Sequence, residues 1–207
     1  MTDCVTRTVD DKTMWLVTLP EIITNDSPPQ EENLVVILIR EESWEPPSEH
    51  YPDGLHRASC IMTLYLADAE KTKTQTFTAI YWPQQGSLHL FTEEFRLEAS
   101  LQGRGLGTLI TQQFVLWARG LPPETRVCPI QISQVDEKNE ENQIRRDRLW
   151  HAMGFRFPAG ETSSMPLRAE KLSLPQSGDS DLEVEQRATG VIQSDWQPCA
   201  VSRRKNR

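Results

Sequence analysis

The sequence contains no long hydrophobic run. Its longest uninterrupted aliphatic stretch, Leu34–Ile39, is far too short to cross a bilayer. The opening residues MTDCVTRTVDD are polar and carry no apolar signal segment, so a chain that stays in the cytoplasm, away from membranes, is expected. Cysteine is sparse and scattered. Cys4, Cys60, Cys128 and Cys199 form no C-x-x-C pair, which argues against a zinc site or a disulfide framework and leaves free thiols and no metal as the expectation. Positive charge is also in short supply. Lys plus Arg is 22 against 30 for Asp plus Glu, a formal net charge of −8. Such a chain lacks the overall basic field that sequence-independent DNA binding requires. Hydrophobic residues make up only 37%, and there are fourteen prolines against ten glycines. A mean hydropathy of −0.53 agrees that part of the chain is not core.

Composition divides the chain into three parts. Residues 1–33 read as a polar extension, with one strand-like stretch at Met14–Leu19 that runs out at the breaker cluster Asn25-Asp-Ser-Pro-Pro29. Residues 34–174 read as the folded domain. Residues 175–207 are rich in Ser, Gln, Asp and Glu, close on Ser-Arg-Arg-Lys-Asn-Arg207, and read as a flexible polar tail.

Within the central part, Leu34–Arg40 reads as a buried strand. Residues 41–57 hold SWEPPSEHYPDGLH and read as a loop. Ser59–Ala67, Thr74–Trp82 and Ser87–Ala99 are three strand-like runs with short polar connections, which predicts an antiparallel meander. Leu106, Leu109, Ile110, Phe114 and Trp117 recur at helical spacing, with Thr111, Gln112 and Gln113 off that face. Gly120 and Pro122-Pro123 stop the helix. Arg126–Val135 reads as another strand and Asn139–Met153 as a second helix, acidic at its start and basic later. Gly154-Phe155 starts a short strand, and Met165–Leu174 supplies a last one.

The stretch Gln102-Gly-Arg-Gly-Leu-Gly-Thr108 lies between a strand-like run and the first helix. Its glycines let the backbone take positive φ and come close to a ligand. Backbone N–H groups at a helix N-terminus favour phosphate oxygens, and Arg104 adds a cation. A tight strand-to-helix turn with no ligand accounts for the glycines equally well. There is no Gly-Lys-Ser/Thr ending and no G-x-G-x-x-G spacing, so neither common nucleotide loop is present.

Gln102-Gly-Arg-Gly-Leu-Gly107 resembles the Q/R-x-x-G-x-G/A signature of the GNAT acyltransferase superfamily. Val135-Asp-Glu-Lys-Asn139 resembles that family's V-x-x-x-N. Leu149-Trp-His-Ala-Met-Gly-Phe155 resembles its L-Y-x-x-x-G-F. The order of elements over residues 59–157 is similar too. The resemblance implies a mixed α/β domain with a mostly antiparallel, twisted central sheet flanked by helices. It also implies an acyl-CoA cosubstrate, most often acetyl-CoA. Gln102, Gly103, Arg104, Gly105, Leu106, Gly107 and Thr108 then hold the pyrophosphate. The main chain of Phe95, Arg96 and Leu97 bonds the pantetheine arm, with an N–H near Leu97 polarising the thioester carbonyl. Asn139, or Asn142, contacts the cofactor from the start of the last helix. An ordinary helix cap explains Asn139 as well.

Acyl transfer to an amine needs a base. Strand alternation predicts His89, Phe91, Glu93, Phe95 and Leu97 on one face. Some family members use a carboxylate here, which makes Glu93 the first catalytic candidate and His89 the second, although both are also ordinary solvated strand residues. Three departures from the family bear on activity. Trp150 stands where the family often has a tyrosine that protonates the leaving thiolate, and an indole N–H is not a useful acid. Trp150 is then a residue that packs against the cofactor or fills core. The interval Asn139–Trp150 is about one helical turn longer than the common pattern. The Pro-rich segment 41–58, with Trp44, His50, Tyr51 and His56, replaces two helices of the acceptor site.

The resulting expectation is an acyl-CoA-dependent N-acyltransferase. Its acceptor is an amine on a small molecule, a protein or an aminoacyl-tRNA, and a homodimer is left open. The alternative is a catalytically weak or inactive module of the same fold that binds CoA or a protein. A third reading is an α/β interaction protein without a CoA site.

Overall fold

A computed structural model of the chain describes residues 11–19, 34–45, 57–67, 72–91, 95–132, 140–175 and 183–190. Among these, eight strands form one open sheet. They are β1 (Asp11–Leu19), β2 (Leu34–Glu45), β3 (Arg57–Ala67), β4 (Thr72–Trp82), β5 (Ser87–His89), β6 (Arg126–Val127), β7 (Leu167–Arg168) and β8 (Glu183–Gly190). The spatial order is β7-β6-β5-β4-β3-β2-β1-β8. Neighbours run antiparallel except β5 and β6, which are parallel. Two α-helices, α1 (Leu106–Arg119) and α2 (Glu140–Ala152), complete a mixed α/β fold.

The meander is long because alternation holds in its central strands. Ala58, Cys60, Met62, Leu64 and Leu66 of β3 are buried, and so are Phe77, Ala79 and Tyr81 of β4. The register sets Met62 opposite Phe77, Cys60 opposite Ala79 and Ala58 opposite Tyr81, so one face of both strands enters the same core. Helix α1 supplies the facing layer. Leu106, Ile110, Phe114 and Val115 are completely buried. Thr111, expected off the buried face, is buried as well. Its hydroxyl donates back to the Gly107 and Thr108 carbonyls at 2.9 and 3.0 Å, which satisfies it within the helix.

Several expectations need correction. Strands β1 and β8 lie in the segments read as extension and tail, yet they pair with each other, Val17 opposite Val184. The polar composition of Glu183–Gly190 hid this. An outer strand is held by its backbone ladder and needs no continuous apolar face. Residues 41–45, read as loop, continue β2 opposite β3. Among the described residues of the run 87–99, only Ser87–His89 are strand. Among those of the run 126–135, only Arg126–Val127 are, with an isolated bridge from Gln131 to Ser163. Phe155 starts no strand, because its N–H closes α2 on the Trp150 carbonyl at 3.0 Å. Of Met165–Leu174, only Leu167–Arg168 is extended in the sheet, and Ala169–Lys171 turns into a 3-10 helix.

Candidate functional site

The connection from β5 to β6 carries both the glycine segment and α1. The parallel ladder is short. Arg126 donates its N–H to the Gly86 carbonyl and Cys128 donates to Leu88, both at 2.8 Å. Ile130 is the next donor on that side, but its N–H turns to the Ser164 hydroxyl at 3.0 Å. Ser164 returns its own N–H to the Ile130 carbonyl at 2.9 Å. The two parallel segments therefore part beyond Cys128.

Beyond the parting, Phe91 and Phe95 are held by aromatic packing. Phe91 lies 4.6 Å from Phe95, 5.3 Å from Phe114 and 5.5 Å from Trp150, centroid to centroid. Phe95 also meets Phe77 at 4.9 Å. Offset and edge contacts of this kind add to ordinary apolar burial. Two glutamines fix the backbone that follows. Gln75 on β4 donates to the Arg96 carbonyl at 3.3 Å and accepts the Glu98 N–H at 3.1 Å. Gln102 donates to the Leu97 carbonyl at 2.7 Å.

Helix α1 then begins at Gly105, whose φ is +80°. Gly103 is also left-handed, at φ +72°. Among the described residues no side chain caps this end of α1 and its first turn carries no acidic residue, so its first-turn N–H groups stand at the positive end of the helix dipole. A Cβ on Gly103 would lie 3.0 Å from Arg145 Nη1 of α2, so a second guanidinium joins Arg104 beside the loop. On Gly107 a Cβ would meet Leu97 at 3.6 Å and Phe95 at 3.8 Å. This brings the expected pantetheine segment against the first turn of α1.

The structure thus gathers Phe95, Leu97, Gln102, Gly103, Arg104, Gly105, Leu106, Gly107 and Thr108 around one helix start. Arg96 is exposed and enters only through its carbonyl. Trp150 is 5% exposed, packed against Phe91, Phe95 and Phe155. His89 is not brought in. With β5 ending there, the described members of the predicted face at 89–97 do not share one environment: His89 is exposed while Leu97 is buried. Glu93, Asn139, His50, Tyr51 and His56 lie outside the described residues, as does the side chain of Asn142. Gln75 and Arg145 were not anticipated, and no local motif marks either of them. No group of three or more His, Cys, Asp or Glu suited to a metal occurs among the described residues. No helix among them is long and apolar enough to cross a membrane. No protein-family model, curated protein or solved structure matches the chain significantly.

Proposed function

We propose that the chain binds an acyl-CoA, with acetyl-CoA the first choice, at the start of α1 and transfers its acyl group to an amine. The observation that carries this reading is the α1 N-terminus, which no described side chain caps, opened by two left-handed glycines on the connection between two parallel strands that part beyond Cys128. Such an end offers several N–H donors and a favourable dipole to a pyrophosphate. Arg104 and Arg145 supply cations beside it despite the chain's net negative charge.

In this reading Gly103–Thr108 hold the phosphates, and the Phe95–Leu97 backbone, steadied by Gln75 and Gln102, lines the pantetheine arm. An N–H near Leu97 polarises the thioester carbonyl. Glu93 takes the proton of the attacking amine, and proximity of the two substrates supplies much of the rate. Small molecules, proteins and aminoacyl-tRNAs are the candidate acceptors, and the GNAT family is the proposed relationship.

The burial of Trp150 favours a second reading. Its indole is enclosed by aromatic rings, which makes it a packing residue with no acid to offer a leaving thiolate. The chain is then a CoA-binding module with little or no turnover. A thiol-release assay with acetyl-CoA and a panel of amines separates the two. Release that depends on an acceptor supports the transferase. Binding of acetyl-CoA with silence across every acceptor class supports the module.

A further inference from the structure

We propose that Cys128 and His89, together with Arg126 and Arg168, form a thiol–disulfide exchange site for carboxylate-bearing disulfides. The site lies where the parallel strands β5 and β6 end, and the proposal does not depend on the acyl-CoA reading. Cys128 Sγ is 3.2 Å from His89 Nε2, within reach for proton transfer from a nucleophile to its base. Rigid elements hold both groups. His89 ends β5 and is paired to Ile80 of β4. The Cys128 N–H is tied to the Leu88 carbonyl at 2.8 Å, and Pro129 restricts Cys128 to extended backbone. His89 is exposed and Cys128 is partly exposed, so a solute reaches the pair.

The charges around the pair define the ligand. Strand alternation puts Arg126 on the same side of its strand as Cys128. Register sets Arg168 of β7 directly opposite Arg126. Both arginines are exposed, and neither has a carboxylate partner among the described residues. Like charges directly opposite each other in a sheet are destabilising. An anionic ligand relieves that repulsion, and its carboxylates match the planar guanidinium fork.

Burial pushes the Cys128 thiol up, while the Arg126 charge pulls it down. Cys128 therefore rests as a thiol, and attack requires a base to take its proton, the role that the 3.2 Å contact gives to His89. Cys128 Sγ attacks one sulfur of the disulfide as its proton passes to His89 Nε2. The new S–S bond forms, the old one breaks, and the departing sulfur keeps the electron pair and recovers the proton from His89. The products are a mixed disulfide on Cys128 and one free thiol. The incoming disulfide is the only oxidant needed.

The test uses the full-length Cys4→Ser/Cys199→Ser chain, whose remaining thiol besides Cys128, Cys60, is fully buried. Glutathione disulfide and cystamine serve as anionic and cationic probes. Intact mass and peptide mapping follow the mixed disulfide, and circular dichroism checks folding. The expected result is modification at Cys128, slowed at least about tenfold by His89→Gln with either probe. In the Arg126→Gln/Arg168→Gln variant, the ratio of the glutathione-disulfide rate to the cystamine rate falls roughly two- to fivefold, the scale of exposed charge pairs. Arg126→Lys/Arg168→Lys retains most of that ratio. An unmodified Cys128, a rate indifferent to His89→Gln, or a probe ratio unchanged by removing both arginines overturns the proposal.

Discussion

The Gln102 side-chain amide donates to the Leu97 carbonyl at 2.7 Å and closes the chain into a short loop just before the α1 N-terminus. This bond couples the segment proposed to line the pantetheine arm to the segment proposed to hold the phosphates. Gln102 is half-buried, so the bond is partly protected from water. Replacing Gln102 with Ala is expected to lower the unfolding free energy by about 1 kcal/mol and to weaken acetyl-CoA binding. Urea denaturation and a binding titration on the same variant measure the two effects. An unchanged affinity in a destabilised protein would separate Gln102 from the ligand.

The left-handed glycines differ in what surrounds them, which predicts an order of costs. Gly86 has φ +56°, and nothing lies within 4 Å of the place a Cβ would take there. Gly86→Ala is therefore expected to cost only the conformational strain, roughly 1 kcal/mol. Gly154 has φ +101°, and the Lys171 carbonyl oxygen lies 3.0 Å from the corresponding Cβ position. A backbone atom cannot step aside as a side chain can, so Gly154→Ala is expected to cost more than Gly86→Ala. Thermal melts of the two variants test this order, and equal melting temperatures would contradict it.

Thr125 offers a test of the core. It is 1% exposed, and its hydroxyl oxygen has no hydrogen-bond partner among the described residues. Thr125→Val keeps the shape and removes the unmatched polar atom. The variant is expected to be more stable by about 1 kcal/mol. Loss of stability would mean that the hydroxyl has a partner.

Trp150 is expected to act through packing. Trp150→Ala removes the ring that touches Phe91, Phe95 and Phe155 and is expected to cost about 3–5 kcal/mol. Trp150→Phe retains part of the edge contacts and is expected to cost clearly less. Denaturant midpoints compare the two. Equal and small losses would place the indole outside the load carried by the cluster.

For the chemical step, Glu93→Gln is expected to lower the turnover rate at neutral pH by about a hundredfold or more while leaving the apparent affinity for acetyl-CoA in place. An unchanged pH–rate profile would reject Glu93 as the base.

The parts of the fold legible in the sequence were those fixed by local periodicity. The α1 stripe and the β3–β4 alternation each bury one face against a single core, so pattern and structure coincide. The glycine loop was legible because left-handed backbone at Gly103 and Gly105 demands glycine. The failures came from partners distant in sequence. Residues 87–97 alternate like a strand, but a strand also needs a ladder. Ile130, which would have extended it, bonds Ser164 instead. Phe91 and Phe95 enter an aromatic cluster with Phe114 and Trp150. Strand β8 was hidden for the opposite reason: its ladder with β1 is supplied by backbone groups that composition does not report. Gln75 and Arg145 reach the site from β4 and α2, across distances in sequence that no motif spans.

The central claim is that the α1 N-terminus holds an acyl-CoA. Calorimetric titration of the full chain with acetyl-CoA tests it directly, with Gly105→Glu as the site variant and Gly86→Ala as the control for glycine strain elsewhere. Gly105→Glu places a side chain and a negative charge where φ is +80° and N–H donors converge. One-to-one binding is expected for the native chain, retained in Gly86→Ala and lost in a Gly105→Glu protein whose circular dichroism is unchanged. Absence of binding by the native chain, or equal binding by folded Gly105→Glu, would contradict it.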